Sequence, residues 1–217
     1  MSEIRIDPQS APPPAGAVGG KLVGLLTRSA AMGVLTGPTI TRVDAPVIRR
    51  LVKDLQRHGI GGASMAALSP LLQAEAKPLD AATTRAVERQ LDRLAEALEA
   101  SAAPAAEWPA MRKVFGDDAL AAWLDISSSS LRRYAGAERE TPQATADRLH
   151  WLAMAVADLA GAYNDYGMRR WFERPRAQLD GRSPRELLGR HWSPDDPAAQ
   201  RVRELAARLS GAQPLAV

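Results

Sequence analysis

One stretch near the middle of the chain constrains the fold most strongly: residues 118–136, which read DALAAWLDISSSSLRRYAG. Apolar residues at three- and four-residue spacing up to Trp123 predict a short amphipathic helix. A turn is predicted at 125–127, where an aspartate tolerates left-handed geometry and a serine is a typical N-cap. A second helix is predicted over Ser128–Ala135, and we expect Gly136 to end it. This layout is that of a helix-turn-helix.

The outward face of the second predicted helix is polar and basic. In a helix-turn-helix this element lies in the DNA major groove, with its N-terminal residues at the base edges. Serine can hydrogen-bond bases and phosphates, and arginine pairs with guanine in bidentate fashion. The candidate DNA-binding residues are therefore Ser127, Ser128, Ser129, Arg132 and Arg133. The alternative is that two short helices pack in a larger bundle and leave the arginines solvated.

Composition favours helices throughout. Hydrophobic residues make up 46% of the 217 residues, with few β-branched and aromatic side chains among them. Ala, Leu and Arg are abundant, so we expect an all-α protein. A net charge of only +3 is not that of a histone-like polycation. The absence of cysteine excludes disulfides, thiolate metal sites and cysteine nucleophiles.

The chain carries no segment that predicts membrane insertion. The apolar run Leu22–Leu35 is too short to span a bilayer and contains Arg28. An acidic, proline-rich leader precedes it instead of the basic region of a secretory signal. The expected location is cytoplasmic.

Proline-rich and glycine-rich breaks divide the chain into four predicted parts. A linker is expected at 101–106, and helices in the first half are expected over 21–35, 44–58, 64–76 and 80–100. The predicted parts are a disordered tail (1–19), an N-terminal helical region (20–101), a helix-turn-helix domain (108–165) and a small C-terminal helical domain (166–217).

A heptad seam lies in the helix predicted after Asp80. It consists of Val87, Leu91, Leu94 and Leu98, spaced by 4, 3 and 4 residues. Two heptads are too few for a stable coiled coil. The seam either mediates dimerisation or packs on the preceding helices.

Two helix starts are predicted in the second half. Thr141-Pro142 has the pattern of an N-cap followed by a proline and opens a long helix with a continuous apolar stripe. Ser183-Pro184-Arg185-Glu186 has the pattern of a capping box. Between these starts, Trp171 and Phe172 are expected to be core anchors.

The second half resembles the Xre-type antitoxins of the MbcA/ParS family, whose partners are RES-domain toxins that degrade NAD. The resemblance covers roughly residues 108–210. It is carried by the helix-turn-helix, the long helix and the segment WFERPRAQLDGRSPRELL. The matching positions are Trp171, Pro175, Leu179, Gly181, Ser183, Pro184, Leu187 and Leu188. The chain differs where the family usually has Gly in the turn (here Asp125) and Asn after the first proline (here Arg176).

The resemblance implies a function in two parts. The C-terminal domain would cover the toxin's NAD-binding cleft, and the helix-turn-helix would repress the operon by binding its operator. The protein is expected to act as a homodimer. Arginines outnumber acids between Arg169 and Arg190, and arginine is the cation enriched at interfaces. The toxin-binding candidates are Trp171, Arg174, Arg176, Arg182, Arg185 and Arg190. Asp125 would bring a negative charge near a DNA phosphate.

No pattern of catalytic residues is present. His58, His150 and His191 are scattered, and neither His150 with Asp147 nor His191 with the acids that follow it predicts a catalytic or metal site. We expect no enzyme activity, cofactor, metal or small-molecule substrate. Two alternatives stay open: a free-standing helix-turn-helix transcriptional regulator, and a protein-only adaptor that does not bind DNA.

Overall fold

The computed structural model of the chain describes most, but not all, of its residues. The described ranges are 16–38, 40–62, 68–73 and 79–209. Most of the predicted N-terminal tail, much of the helix predicted over 64–76, and the C-terminal end 211–217 lie outside these ranges.

The described part of the chain is all-α, as predicted, and contains no strand. Its helices are α1 (Ala17–Ala31), α2 (Ala45–Arg57), α3 (Ser69–Gln73), α4 (Ala81–Glu99), α5 (Pro104–Phe115), α6 (Asp117–Leu124), α7 (Ser128–Ala135), α8 (Gln143–Leu159), α9 (Asp165–Glu173), α10 (Pro184–Leu188) and α11 (Pro197–Leu209), with a short 3₁₀ helix at Ala177–Leu179. The chain divides into two compact units, Met1–Ser101 and Ala102–Val217.

Short-range caps set the helix boundaries of the first unit. The Asp44 side chain accepts a hydrogen bond from Val47 N at the start of α2, and Asp80 caps α4 in the same way. Both residues stand at the predicted starts of these helices. The first helix was predicted to run to Leu35, but α1 ends at Ala31 because Gly33 is left-handed, with φ 73°. A glycine in that conformation ends a helix at little steric cost.

The heptad seam of α4 is buried inside the first unit. Val87, Leu91, Leu94 and Leu98 are each at most 1% exposed, and α4 packs along α1. Apolar side chains that are already buried within their own unit are not available to a second copy of the chain. The structure therefore favours the packing interpretation of the seam over dimerisation.

The second unit is built around α8. Every residue from Trp151 to Leu159 on this helix is buried, which is typical of a helix surrounded by others. Helices α5, α6 and α11 contact it, and α9 packs on α5. Residues 108–165 and 166–209, which the sequence divides by motif, thus lie in one compact unit.

Two predictions of local structure in this unit are wrong: the end of the linker and the N-cap at Thr141. The linker ends at Ala103, because Pro104 begins α5 as its first residue, a position that suits proline. Thr141 is not an N-cap: α8 begins at Gln143 after Pro142, without a side-chain cap. The Thr141 hydroxyl instead accepts a hydrogen bond of 3.0 Å from Trp108 Nε1. A contact between residues so far apart in sequence gives no local signal.

Candidate nucleic-acid interface and arginine-rich module

Helices α6 and α7 form the predicted helix-turn-helix. Asp125 follows α6 in the left-handed conformation, with φ 53° and ψ 47°, as the predicted turn requires. Leu120 and Trp123 on α6 and Leu131 and Tyr134 on α7 are buried, so the two helices are fixed by a shared apolar side. The opposite side of α7 faces solvent.

Serine hydroxyls are clustered at the N-terminus of α7. Ser127 Oγ accepts a hydrogen bond from Ser130 N at 3.1 Å and lies 2.9 Å from Ser129 Oγ. Ser128 Oγ donates to Asp118 Oδ1 at 3.4 Å. Ser127 therefore caps the helix, as predicted, and Ser129 is the most exposed of the candidate serines on α7 itself.

The two candidate arginines, Arg132 and Arg133, are exposed in the last turn of α7. The helix dipole favours cations at a helix C-terminus, so the presence of these two arginines can also be explained without a role in DNA binding. The helix ends at Ala135, but Gly136 does not supply the left-handed residue, since its φ is −85°. The left-handed residue is the next one, Ala137, with φ 56°, so Gly136 ends the helix as predicted but the left-handed conformation follows it.

An acidic pair at the start of α6 lies near this surface. Asp117 accepts two hydrogen bonds from Arg112, at 2.7 and 2.8 Å. The hydrogen bond from Arg112 is the largest influence on the pKa of Asp117, which lies below its usual value, and Arg132 contributes in the same direction. Arg112 therefore offsets much of the negative charge of Asp117 beside α7.

The turn of the helix-turn-helix is tied to the loop between α10 and α11. Arg190 Nε donates to Asp125 Oδ1 at 3.2 Å, and His191 Nδ1 lies 2.5 Å from Asp125 Oδ2. The Asp125 carboxylate thus has cationic and ring N–H partners within the same unit. Sequence reasoning missed this cluster and placed Arg190 on the toxin surface alone.

Trp192, which follows in the same loop, fastens it to the end of α6. Its Nε1 donates to Trp123 O at 3.0 Å, and its ring makes an edge contact with Trp151 on α8, with centroids 4.8 Å apart. Arg148 on α8 bridges the two elements by donating to Trp192 O at 2.6 Å and to Leu124 O at 3.1 Å. The loop is therefore a structural part of the helix-turn-helix.

Trp171, predicted both as a core anchor and as a toxin-binding residue, is a core residue. Its side chain is 1% exposed, beside Phe172. The guanidinium of Arg176 lies 4.6 Å from the centre of the Trp171 ring, and partial burial lowers the pKa of Arg176. In this structure Trp171 cannot itself touch a partner, because neighbouring residues cover it.

The remaining arginine candidates occupy different environments. Arg174 and Arg182 are exposed. Arg185 donates to Glu173 at 3.1 Å and lies 5.4 Å from the centre of the Trp123 ring. Arg190 lies at Asp125, as described above. The structure does not gather all six toxin-binding candidates on one exposed surface.

The motif that carries the family resemblance has a structural role here. Ser183 Oγ accepts from Glu186 N, and Glu186 Oε2 accepts from Ser183 N at 2.8 Å, which confirms the capping box. These bonds from Ser183 hold the pKa of Glu186 below its usual value. Leu179, Pro184 and Leu188 are buried. These contacts show that the motif residues stabilise the fold of the C-terminal segment.

The structure assembles no metal site in the part of the chain that it describes, where no group of three potential ligands was found. His150 Nδ1 lies 2.6 Å from Oε1 of Glu107, a fully buried residue on α5. Asp147, which the sequence placed near His150, accepts from Gln143.

Within the described ranges, no helix has the length and apolar character needed to cross a bilayer. The chain matches no family model, no curated protein and no solved structure. Its function is therefore argued from its own motifs and geometry.

Proposed function

We propose that the chain is the antitoxin of a toxin-antitoxin pair, which binds operator DNA through α7 and occludes a RES-type NAD-degrading toxin with its C-terminal residues. The observation that carries the proposal is the helix-turn-helix itself, with a left-handed Asp125 between its helices and the polar side of α7 exposed. The sequence motif from Trp171 to Leu188 supplies the toxin part of the proposal.

The DNA-binding role is supported by chemistry at both ends of α7. Ser129 lies at the end that enters the major groove in such motifs, and its hydroxyl can donate to or accept from a base. Arg132 and Arg133 are exposed, and each can bind a phosphate or a guanine. Replacing both by alanine should weaken duplex binding and reduce its salt dependence.

The toxin-binding role is supported by exposed positive charge. Arg174 and Arg182 lie within the motif segment and are open to solvent. Arginine forms bidentate pairs with carboxylates, so an acidic partner surface suits them. Trp171 contributes indirectly, because its buried side chain stabilises the segment that carries these arginines.

A free-standing transcriptional regulator is the second candidate, and one observation favours it. The bond from Trp192 Nε1 to Trp123 O makes the C-terminal residues part of the helix-turn-helix unit, so they have a structural role that requires no toxin. In that case the protein would bind DNA without any partner and would have no toxic neighbour gene.

Growth rescue distinguishes the two candidates. The adjacent open reading frame is expressed alone and together with this chain, while growth and cellular NAD are followed. Arg174→Ala with Arg182→Ala should lose rescue but keep DNA binding, and Arg132→Ala with Arg133→Ala should do the reverse. Point variants are preferred to truncation because removal of residues beyond 166 would delete buried Trp171 and Trp192 from the core.

The matched control removes the same charge elsewhere, by replacing the exposed Arg89 and Arg93 of α4 with alanine. It should rescue growth and bind DNA as the unaltered chain does. A harmless neighbour, or full rescue by the Arg174 and Arg182 variant, would count against the antitoxin and leave the regulator as the better account.

A further inference from the structure

The loop between α10 and α11 brings a cation to the turn of the helix-turn-helix. Arg190 Nε donates to Asp125 Oδ1 at 3.2 Å. Asp125 lies two residues before Ser127, the N-cap of α7. The guanidinium therefore lies beside the end of α7 that a major groove receives when such a motif binds DNA.

The side chain of Arg190 faces solvent, whereas that of Asp125 is largely covered. The Arg190 side chain is 82% exposed, whereas that of Asp125 is 13% exposed. A guanidinium carries five N–H donors, and the bond to Asp125 uses the one on Nε. The terminal nitrogens of this largely exposed side chain remain for a second acceptor.

His191 fixes the carboxylate from its other side. Its Nδ1 lies 2.5 Å from Asp125 Oδ2, so with the carboxylate as acceptor the ring N–H is the donor. Trp192, buried next to it, anchors the loop by its bond to Trp123 O. Arg190 is thus held in place through Asp125 and by an anchored loop.

We propose that Arg190 binds a DNA phosphate next to the N-terminus of α7, with Asp125 and His191 as positioning residues. This inference rests on the proposed DNA-binding function of α7. A phosphate oxygen accepts charge-assisted bonds from a guanidinium, often two at once. The N-terminal end of α7, which carries the positive end of the helix dipole, favours the same anion.

Asp125 has a second effect in this arrangement. Its carboxylate competes with the phosphate for Arg190, and its negative charge repels the phosphate. Asp125→Asn keeps a residue type that tolerates the left-handed conformation and removes the charge. It also keeps a side-chain oxygen that can accept the bond from Arg190 Nε, so the arginine stays positioned. The variant is therefore expected to bind DNA more tightly, while Arg190→Ala binds less tightly.

The test measures the salt dependence of duplex binding with the full-length chain. A duplex is first selected from a randomised pool, and its dissociation constant is then measured over a range of salt concentrations. Loss of one phosphate contact should make the slope of log K against log salt shallower by about 0.9 for Arg190→Ala. Arg208→Ala is the matched control, since Arg208 is 70% exposed and pairs with Glu204 in the last turns of α11.

The outcomes separate this inference from the function on which it rests. If Arg132→Ala with Arg133→Ala weakens binding but Arg190→Ala leaves the slope equal to that of the Arg208 control, α7 binds DNA and the phosphate site is refuted. Unchanged or weaker binding by Asp125→Asn also refutes it, because that variant retains Arg190. Failure to enrich any duplex overturns both proposals.

Discussion

Replacing Trp192 by alanine should destabilise the second unit strongly and leave the first unit unchanged. The ring is 2% exposed, contacts Trp151 edge-on and donates to Trp123 O. Removing a buried Trp side chain costs about 3–5 kcal/mol in comparable cores. Of this, the hydrogen bond accounts for roughly 1 kcal/mol and the ring pair for about 0.5–1.5 kcal/mol.

Tryptophan fluorescence makes this prediction measurable, because all five tryptophans lie between positions 108 and 192, within the second unit. Four of them still report when Trp192 is replaced. With a urea m-value of about 2 kcal/mol/M, the midpoint should fall by about 1.5–2.5 M. Trp192→Phe, which keeps a ring but loses the N–H group, should fall between the unaltered chain and the alanine variant.

The reasoning would be refuted if Trp192→Ala moved the midpoint by less than about 0.5 M, roughly 1 kcal/mol at the same slope. The loop would then not be fastened to α6 in solution. Leu22→Ala in the first unit serves as the control, since Leu22 is fully buried there. It should leave the fluorescence transition in place while changing the circular dichroism transition.

Three further predictions concern single positions. Ala137→Gly should raise the unfolding free energy of the second unit by about 1 kcal/mol, because glycine adopts the left-handed conformation after α7 without the steric strain of alanine. An unchanged urea midpoint would show that no strain is present. The lowered pKa of Glu186 means that its charged form stabilises the fold above the ordinary pKa of a glutamate and that this contribution is lost as the pH falls through the lower value of the folded state. Glu186→Gln should therefore flatten the fall in stability as the pH drops below the ordinary glutamate pKa of 4.5, measured as urea midpoints. Leu91→Ala should destabilise the first unit by about 2–5 kcal/mol without altering the oligomeric state seen by light scattering, since the seam is buried within the unit.

Local hydrogen bonds explain what could be predicted from the sequence. The caps at Asp44, Ser127 and Ser183 join side chains to backbone groups three residues away, so the residue pattern alone specifies them. The left-handed Asp125 was predictable because aspartate tolerates this conformation better than most residues other than glycine. The pattern at Thr141 was misinterpreted because its hydroxyl accepts a hydrogen bond from the distant Trp108 and does not cap α8.

Contacts between distant segments explain what was missed. The pair Arg190 and Asp125 is separated by 65 positions, and His150 and Glu107 by 43. No periodicity relates such positions, and one sequence alone carries no record of which side chains meet. The burial of Trp171 was expected from the sequence, whereas the contact of Arg185 with the Trp123 ring joins residues far apart in the chain and was missed.

The alanines of α8 have a consequence for how a chain of this design can diverge. Ala153 and Ala155 are fully buried, so larger side chains there would cost about 1–3 kcal/mol through overpacking. Exposed positions on α7, such as Ser129 and Arg133, can be exchanged at much smaller cost. Duplicated copies could therefore acquire different surface chemistry on α7, and with it different partners, while α8 keeps its composition.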